Sequence, residues 1–357
     1  MKKTEEKTAL IAMSGGVDSS IAAYLMQKEG FLCQGATMRL LSTDNGQNAA
    51  DAKAVCERLG IPFSTWDLTQ EFDEAVIKKF VRVYLAGGTP NPCVDCNRRI
   101  KFSKFLEAAE QDGIRCIATG HYAQIDRDAE SGRWLLKKAL DIEKDQSYFL
   151  YTLTQQQLSR TRFPLGGMEK RQVRELAEKL GFINAGKHDS QDICFVPDGN
   201  YGAFLERAAG SPYPPGDFLD MEGRVIGRHR GAACYTLGQR KGLGLAMGEP
   251  VYVCGKNMAA NTVTVGPEHI LYSRFVRIQD INWIAIPSLN SPIRLQAKIR
   301  YRQKEQWAWV RPSEEHKEEI ILEFDEPQRA VTPGQAAVFY NGGIVVGGGT
   351  IAAAYGK

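Results

Sequence analysis

Up to about residue 200, short apolar runs alternate with amphipathic segments. Leu10-Ile11-Ala12-Met13 is an apolar run bounded by Ser14-Gly15-Gly16, the pattern of a buried strand. Ile21, Ala22, Leu25 and Met26 then share one helical face, and Gly30 closes the segment. The same rhythm predicts strands over 31–38, 61–68 and 114–125, and helices over 49–60, 71–88 and 98–113. A hairpin is expected around Ser131-Gly132, followed by helices over 154–163 and 168–182. Such alternation with short connections implies an α/β domain built on a doubly wound parallel sheet, whose ligands bind beyond the strand C-termini.

Beyond that point the texture changes. SPYPPGDFLDMEGRVIGRH is rich in Pro and Gly, and VYVCGKNMAANTVTVG (251–266) reads as a hairpin. RLQAKIRYR, QWAWVRP, EEIILEF, QAAVFY and GIVVGGGTI look like successive strands of a small β-barrel or sandwich. The expected organisation is an α/β domain over 1–204, a small β-rich domain over 205–271 and a β-barrel over 272–357. No fixed-period repeat or low-complexity tract interrupts it.

Charge and cysteine usage narrow the setting. A formal net charge of +3 is too small to argue for nucleic acid by itself, so any basic surface must be local. No run reaches transmembrane length, and MKKTEEKTAL is too polar for a signal peptide. Eight cysteines without a secretory signal point to a reducing, cytoplasmic setting with no membrane attachment.

The strongest chemistry is in SGGVDSS, at the junction of the first strand and helix. The first N–H groups of a helix lack intrahelical partners, and its dipole favours an anion there. Gly15 and Gly16 let a ligand approach the backbone, and Ser14, Ser19 and Ser20 add hydroxyls. Asp18 replaces the Lys of a Walker A loop, and a carboxylate beside phosphate suits a bridging Mg²⁺. The stretch resembles the PP-loop of ATP pyrophosphatases, which cleave ATP between the α- and β-phosphates. That resemblance implies ATP and Mg²⁺ as cofactors, an ATP site on Ala12, Met13, Ser14, Gly15, Gly16, Val17, Asp18 and Ser19, and a catalytic role for Asp18.

The cysteines supply a second chemistry. Cys93 and Cys96 form a C-x₂-C in TPNPCVDCNRRIKF, with Cys96 expected at a helix start. That position and nearby Arg98, Arg99 and Lys101 would lower its thiol pKa. Structural zinc would require four ligands, which the pattern does not offer. Cys194, in DSQDICFVPDG, is expected on an exposed polar loop. Cys33, Cys56 and Cys116 read as core packing, and Cys234 and Cys254 as structural residues of β segments.

Taken in order, AMSGGVDSS, DAKAVCERLGIP, TPNPCVDCNRRIKF, ATGHYA, KDQSYFLY, SQDICFVPDG, YTLGQRKGLG, RYR and PGQAAVFY make the chain similar to the tRNA-specific 2-thiouridylase family over almost its whole length. The resemblance implies that ATP adenylates the C2 oxygen of the wobble uridine of tRNA and that a cysteine persulfide delivers sulfur. It implies Cys194 as the persulfide carrier, Cys96 as its resolving partner, and a sulfur-donor protein as a second partner. Met38 and Gly120 would meet the nucleotide. Asn91, Pro92, Cys93, His121, Lys144, Asp145, Gln146, Arg300, Tyr301 and Gln335 would meet tRNA. A plain reading of His121 is a hydrogen-bonded loop histidine. The clusters Lys170-Arg171 and Arg228-His229-Arg230 could hold phosphates, but such clusters usually mean only a solvated face.

Two departures stand out: the family often has Asp where this chain has Cys93, and RLLSTDNGQNAADA is shorter than in many relatives. With Cys93, Cys96 and Cys194, a three-cysteine iron–sulfur cluster is a rival sulfur route. The glycine loop alone would equally suit an amide- or lysidine-forming PP-loop enzyme, or an RNA-binding protein with a relic nucleotide site.

Overall fold

A computed structural model of the protein describes residues 7–187, 192–316 and 318–356. Most of the polar amino-terminal stretch, and Ser190-Gln191 of the SQDICFVPDG motif, lie outside the described residues. The first part of the chain contains β1 (Thr8–Ala12), β2 (Leu32–Arg39), β3 (Phe63–Asp67), β4 (Cys116–Ala118), β5 (Gln124–Arg127), β6 (Trp134–Lys137) and β7 (Thr161–Arg162). Five of these form a parallel sheet in the order β3-β2-β1-β4-β7. Helices cover both faces, so β1 is apolar on both. Ala9 and Ile11 pack with Ile21, Val55 and Phe182, while Leu10 and Ala12 pack with Phe102, Phe105 and Leu106.

Several elements are shorter or differently joined than the pattern predicts. The strand expected over 114–125 stops at Ala118, and Thr119–Ala123 becomes a loop at its carboxyl end. The helix expected over 154–163 is Gln155–Ser159, started by a capping box between Thr154 and Gln157. The carbonyl of Arg160 then accepts from Ile117 N–H at 2.8 Å, drawing the chain into the sheet edge as β7. The helix expected from residue 98 starts at Pro92, with Asn91 as N-cap and Pro at its first turn. It runs on through a π-helical stretch, Asn97–Lys104, to Phe105–Gln111.

A helix, Tyr201–Ala209, spans the expected boundary at residue 205. Next come β8 (Gly216–Leu219), β9 (Val225–His229), β10 (Tyr252–Asn257) and β11 (Thr262–Gly266), ordered β10-β11-β8-β9 around Phe218, Tyr235, Val253 and Val263. The remaining strands are β12 (Tyr272–Trp283), β13 (Ile293–Lys298), β14 (Gln306–Pro312), β15 (Ile320–Arg329), β16 (Ala336–Asn341) and β17 (Ile344–Tyr355). They form an antiparallel ring, β12-β15-β14-β13-β16-β17, which the β12–β17 pairing closes into a barrel.

The β5–β6 hairpin forms at the expected turn but leaves the sheet of its own domain. β6 pairs with β17, Leu136 opposite Val345 and Lys137 opposite Ile344. Ile284, Val338, Tyr340 and Val345 of the barrel therefore share one buried cluster with Phe102, Tyr148 and Leu150. Asn282 Nδ2 donates to the carbonyls of Tyr151 at 2.7 Å and Leu153 at 3.0 Å. Among the described residues no helix is long and apolar enough to cross a membrane.

Candidate active site

The first helix, Val17–Lys28, has Gly16 as N-cap in an extended conformation with no side-chain cap. Its opening N–H groups are left for an anion. Gly15 has φ +70°, and a Cβ there would lie 2.3 Å from the main-chain oxygen of Asn48, so the position admits only glycine. Ser19 Oγ accepts from the N–H of exposed Ser14 at 3.2 Å and donates to the carbonyl of Gly16 at 2.9 Å. Met13 ends the run inside the core, where its carbonyl accepts from Thr37 Oγ1 at 2.6 Å. Half-buried Met38 lies at the end of the neighbouring strand.

Asp18 sits in the first turn of the helix with two partners from distant parts of the chain. Lys170 Nζ lies 2.7 Å from each carboxylate oxygen, and Tyr122 OH donates to Oδ1 at 2.9 Å. The Lys170 side chain is buried, at 9% exposure against 29% for Asp18, so it is not part of a solvated face. Lys170 opens the helix Lys170–Lys179, where a cation opposes the helix dipole, and that unfavourable placement is the one sign in the sequence that it answers a carboxylate. Asn184 and Lys187 join the site with no sign in the sequence. Asn184 Nδ2 donates to Gly15 O at 3.1 Å and Ser20 Oγ at 2.9 Å. Lys187 Nζ reaches Gly15 O at 3.3 Å and Asp51 at 3.0 Å.

Gly120 lies against this loop. A Cβ on it would stand 2.7 Å from the main-chain carbon of Asp18 and 2.8 Å from the nitrogen of Ser19. His121 Nδ1 is 2.7 Å from Thr119 Oγ1, and the half-buried ring packs on Phe102 and Phe163. Burial first, then the nearby charge of Lys101, holds its pKa well below the ordinary 6.5, so the ring is neutral near pH 7.

The cysteines differ sharply. Cys96 is 8% exposed, inside a cluster with Phe72, Phe80, Phe195 and Leu205, and it lies within the helix that Pro92 begins. Burial pushes its thiol up to about 12, against the opposing charge of Lys101. The lowered pKa expected at a helix start is thus overturned, because desolvation outweighs the cation. Cys93 and Cys194 are exposed, and the surrounding protein raises both thiols while Lys101 lowers them. The charges of Cys93 and Cys194 both act on Cys96, so the three thiols are electrostatic neighbours around Lys101. Asp95, buried between the two cysteines, is 2.5 Å from Lys79 and fastens this helix to the preceding one. Among the described residues no group of three His, Cys, Asp or Glu side chains is arranged to hold a metal, so the geometry does not support a cluster on Cys93, Cys96 and Cys194. Cys33, Cys56 and Cys116 are buried, while Cys234 and Cys254 are partly exposed.

The residues expected to meet tRNA fall into two groups. Asn91 and Lys144 are half-buried and Cys93 is exposed, whereas Pro92 is buried at the helix start. Gln146 is committed to Tyr122, its Oε1 accepting from Tyr122 N–H at 2.9 Å and its N–H donating to Tyr122 O at 2.8 Å. Asp145 is 6% exposed and accepts from Ala139 N–H, Ser147 N–H and Ser147 Oγ. Expected to touch RNA, it instead shapes the turn from inside. Gln335 Nε2 donates to the carbonyls of Thr89 at 3.0 Å and Pro90 at 3.2 Å, holding the TPNP loop. Arg300 donates to Ala330 O, and the Tyr301 ring lies 4.4 Å from Phe149 with Lys298 over it. The barrel thereby reaches both the TPNP loop and the segment after the 141–147 turn.

Comparison with known proteins matches this arrangement along the whole chain. Residues 7–198 match the family described as tRNA methyl transferase HUP domain. Residues 202–267 match its PRC-barrel domain, and 273–351 an aminomethyltransferase β-barrel domain. The chain is 46% identical to the tRNA-specific 2-thiouridylase MnmA of Heliobacterium modesticaldum, over 97% of this chain and 92% of that one. It is 46% identical to that of Acetivibrio thermocellus, over 97% and 99%. With the Clostridioides difficile protein the identity is 43% over 97% and 98%. With a PP-loop, a parallel sheet and two β domains matching at such identity over nearly full length, the chain belongs to the MnmA family of tRNA-specific 2-thiouridylases.

Proposed function

We propose that this protein is a tRNA-uridine 2-sulfurtransferase that replaces the C2 oxygen of the wobble uridine with sulfur at the expense of ATP. The observation that carries the reading is the uncapped helix start at Gly16 with Asp18 beside it, in a chain whose Cys96 and Cys194 thiols are electrostatic neighbours. In this reading uridine O2 attacks the α-phosphorus and pyrophosphate leaves. The terminal sulfur of a Cys194 persulfide attacks C2, and AMP departs with the former carbonyl oxygen. Cys96 then attacks the Cys194 sulfur, freeing the thiocarbonyl and leaving a disulfide for an external thiol to reduce. A sulfur-donor protein reloads Cys194, which its exposure allows.

The Asp18 carboxylate is a hard oxygen ligand of the kind Mg²⁺ takes, now neutralised by Lys170, and together with the phosphates of ATP it would hold the ion. Bound there, Mg²⁺ would neutralise charge on the leaving pyrophosphate. The main-chain N–H groups after Gly16 orient the phosphates, and Met13, Met38 and Gly120 border the nucleotide. Asn91, Cys93, His121, Lys144, Gln146, Arg300 and Tyr301 face the RNA, with Asp145, Gln335 and Pro92 shaping the segments that do so. The thiols suit a reducing cytoplasm.

The test is mass spectrometry of tRNA nucleosides from a strain lacking the gene. Loss of 2-thiouridine derivatives, restored by the wild-type gene and not by Cys194→Ser or Asp18→Asn, is the expected result. Unchanged 2-thiouridine in the deletion strain would sink the reading.

A further inference from the structure

Tyr122 and Lys170 each do two things. With their side chains they hold Asp18 of the nucleotide loop, at 2.9 Å and 2.7 Å. With their backbones they hold the 141–147 turn. Lys170 N–H donates to Asp141 Oδ2 at 3.0 Å, and Tyr122 exchanges a pair of hydrogen bonds with Gln146. Tyr122 is 3% exposed and lies in the loop after β4, where Gly120 presses on the main chain of Asp18. The Asp18 carboxylate is thus joined to the turn by two short, fully hydrogen-bonded paths.

Asp18 cannot keep these partners unchanged when a nucleotide enters. A magnesium ion competes with Lys170 for the carboxylate, and a phosphate competes with the carboxylate for Lys170. Either event alters the pull on the Tyr122 hydroxyl and on the first turn of the Lys170 helix. A shift there reaches Gln146 and Asp141 directly, because the same two residues carry both sets of bonds.

We propose that Tyr122 is a positioning residue that couples nucleotide occupancy to the RNA affinity of the 141–147 turn. The inference rests on the functional reading above, in which that turn faces tRNA. By linkage the coupling is reciprocal: nucleotide tightens tRNA binding and tRNA tightens nucleotide binding by the same factor. The enzyme thereby favours adenylation when both substrates are present.

The experiment measures the tRNA dissociation constant of the full chain with and without Mg²⁺ and α,β-methylene ATP, which cannot be cleaved at the bond in question. The readout is the ratio of the two constants, which is internal to each variant. Wild type should show a ratio of at least about 5, the lower end of typical allosteric coupling. In Tyr122→Phe, which keeps the ring and loses the bond to Asp18, the ratio should fall to near 1. Gln146→Leu, which removes the acceptor for Tyr122 N–H, should act likewise. A ratio near 1 in wild type, or an undiminished ratio in both Tyr122→Phe and Gln146→Leu, overturns the coupling while leaving the thiolation reading intact. Absence of any tRNA binding by wild type overturns both.

Discussion

The ammonium of Lys170 lies 2.7 Å from both carboxylate oxygens of Asp18, across 152 residues of sequence. Each ion answers a different problem. Asp18 suits the dipole at the start of its helix, Lys170 opposes the dipole of its own, and the pair makes the second tolerable. Removing the cation leaves a largely buried carboxylate with Tyr122 as its other described hydrogen-bond partner.

Lys170→Met should therefore destabilise the protein by about 2 kcal/mol, below the ~3–5 kcal/mol of a fully buried pair because Asp18 keeps some solvent contact. Adding Asp18→Asn removes the orphaned charge and should restore most of that loss without restoring ATP-dependent thiolation. Chemical denaturation of the single and double variants checks this, and additive losses would contradict it.

Thiol reactivity should follow burial. With its thiol pushed up to about 12, Cys96 is almost wholly protonated at pH 8. Iodoacetamide should label it roughly 100-fold more slowly than exposed Cys93 and Cys194, since the thiolate is the reacting species. Peptide mass spectrometry over a labelling time course gives the three rates. Equal rates would mean that Cys96 is not enclosed as described.

His121 should make stability pH-dependent on the acid side. Its folded pKa lies well below the unfolded 6.5, so below that pH the unfolded chain binds the proton and the folded chain does not. The stabilisation is fully present above pH 6.5 and is lost as pH falls, with a slope of at most about 1.4 kcal/mol per unit from this group. His121→Asn should flatten the unfolding free energy between pH 6.5 and 5 relative to wild type. Parallel profiles would show that the histidine titrates normally.

Gly120→Ala inserts a methyl group 2.7 Å from the main chain of Asp18, where no flexible side chain can give way. The nucleotide loop must shift, at a cost of about 1–3 kcal/mol for overpacking. Binding of Mg²⁺ and α,β-methylene ATP, followed by calorimetry, should weaken at least about tenfold, as one pKa-unit equivalent of free energy implies. Unaltered affinity would place the nucleotide away from this contact.

The parallel sheet and the glycine loop are legible in the sequence because each is a local pattern: an apolar run, a helix start, and small residues between. Cys194 is legible as exposed because Asp192 on one side and Pro197-Asp198-Gly199 on the other mark a polar loop, although Ile193 and Phe195 beside it are apolar. Cys96 misleads for the complementary reason. Arg98, Arg99 and Lys101 are adjacent in sequence, but Phe72, Phe80 and Phe195, which enclose the sulfur, come from other elements. Lys170 and Asp145 mislead in the same way, since a charged residue in a polar stretch gives no sign of which carboxylate, hydroxyl or amide waits across the fold. Gln335 is marked by family resemblance, yet its tie to Thr89 and Pro90 joins positions that no periodicity connects.

The union of β6 with β17 also bears on how the chain is made. During synthesis the nucleotide loop, Cys93, Cys96 and Cys194 leave the ribosome before the strand that seals β6 and the side chains of Val338, Tyr340 and Val345. The first domain can lay down its parallel sheet first, but it cannot finish its interior until the barrel strands appear. A nascent chain halted before the barrel would show water an unpaired strand and an open apolar seam, which invites chaperones and proteases. A premature stop before β16 would thus leave the domain that carries the nucleotide site without part of its interior, although every residue of that site had been translated.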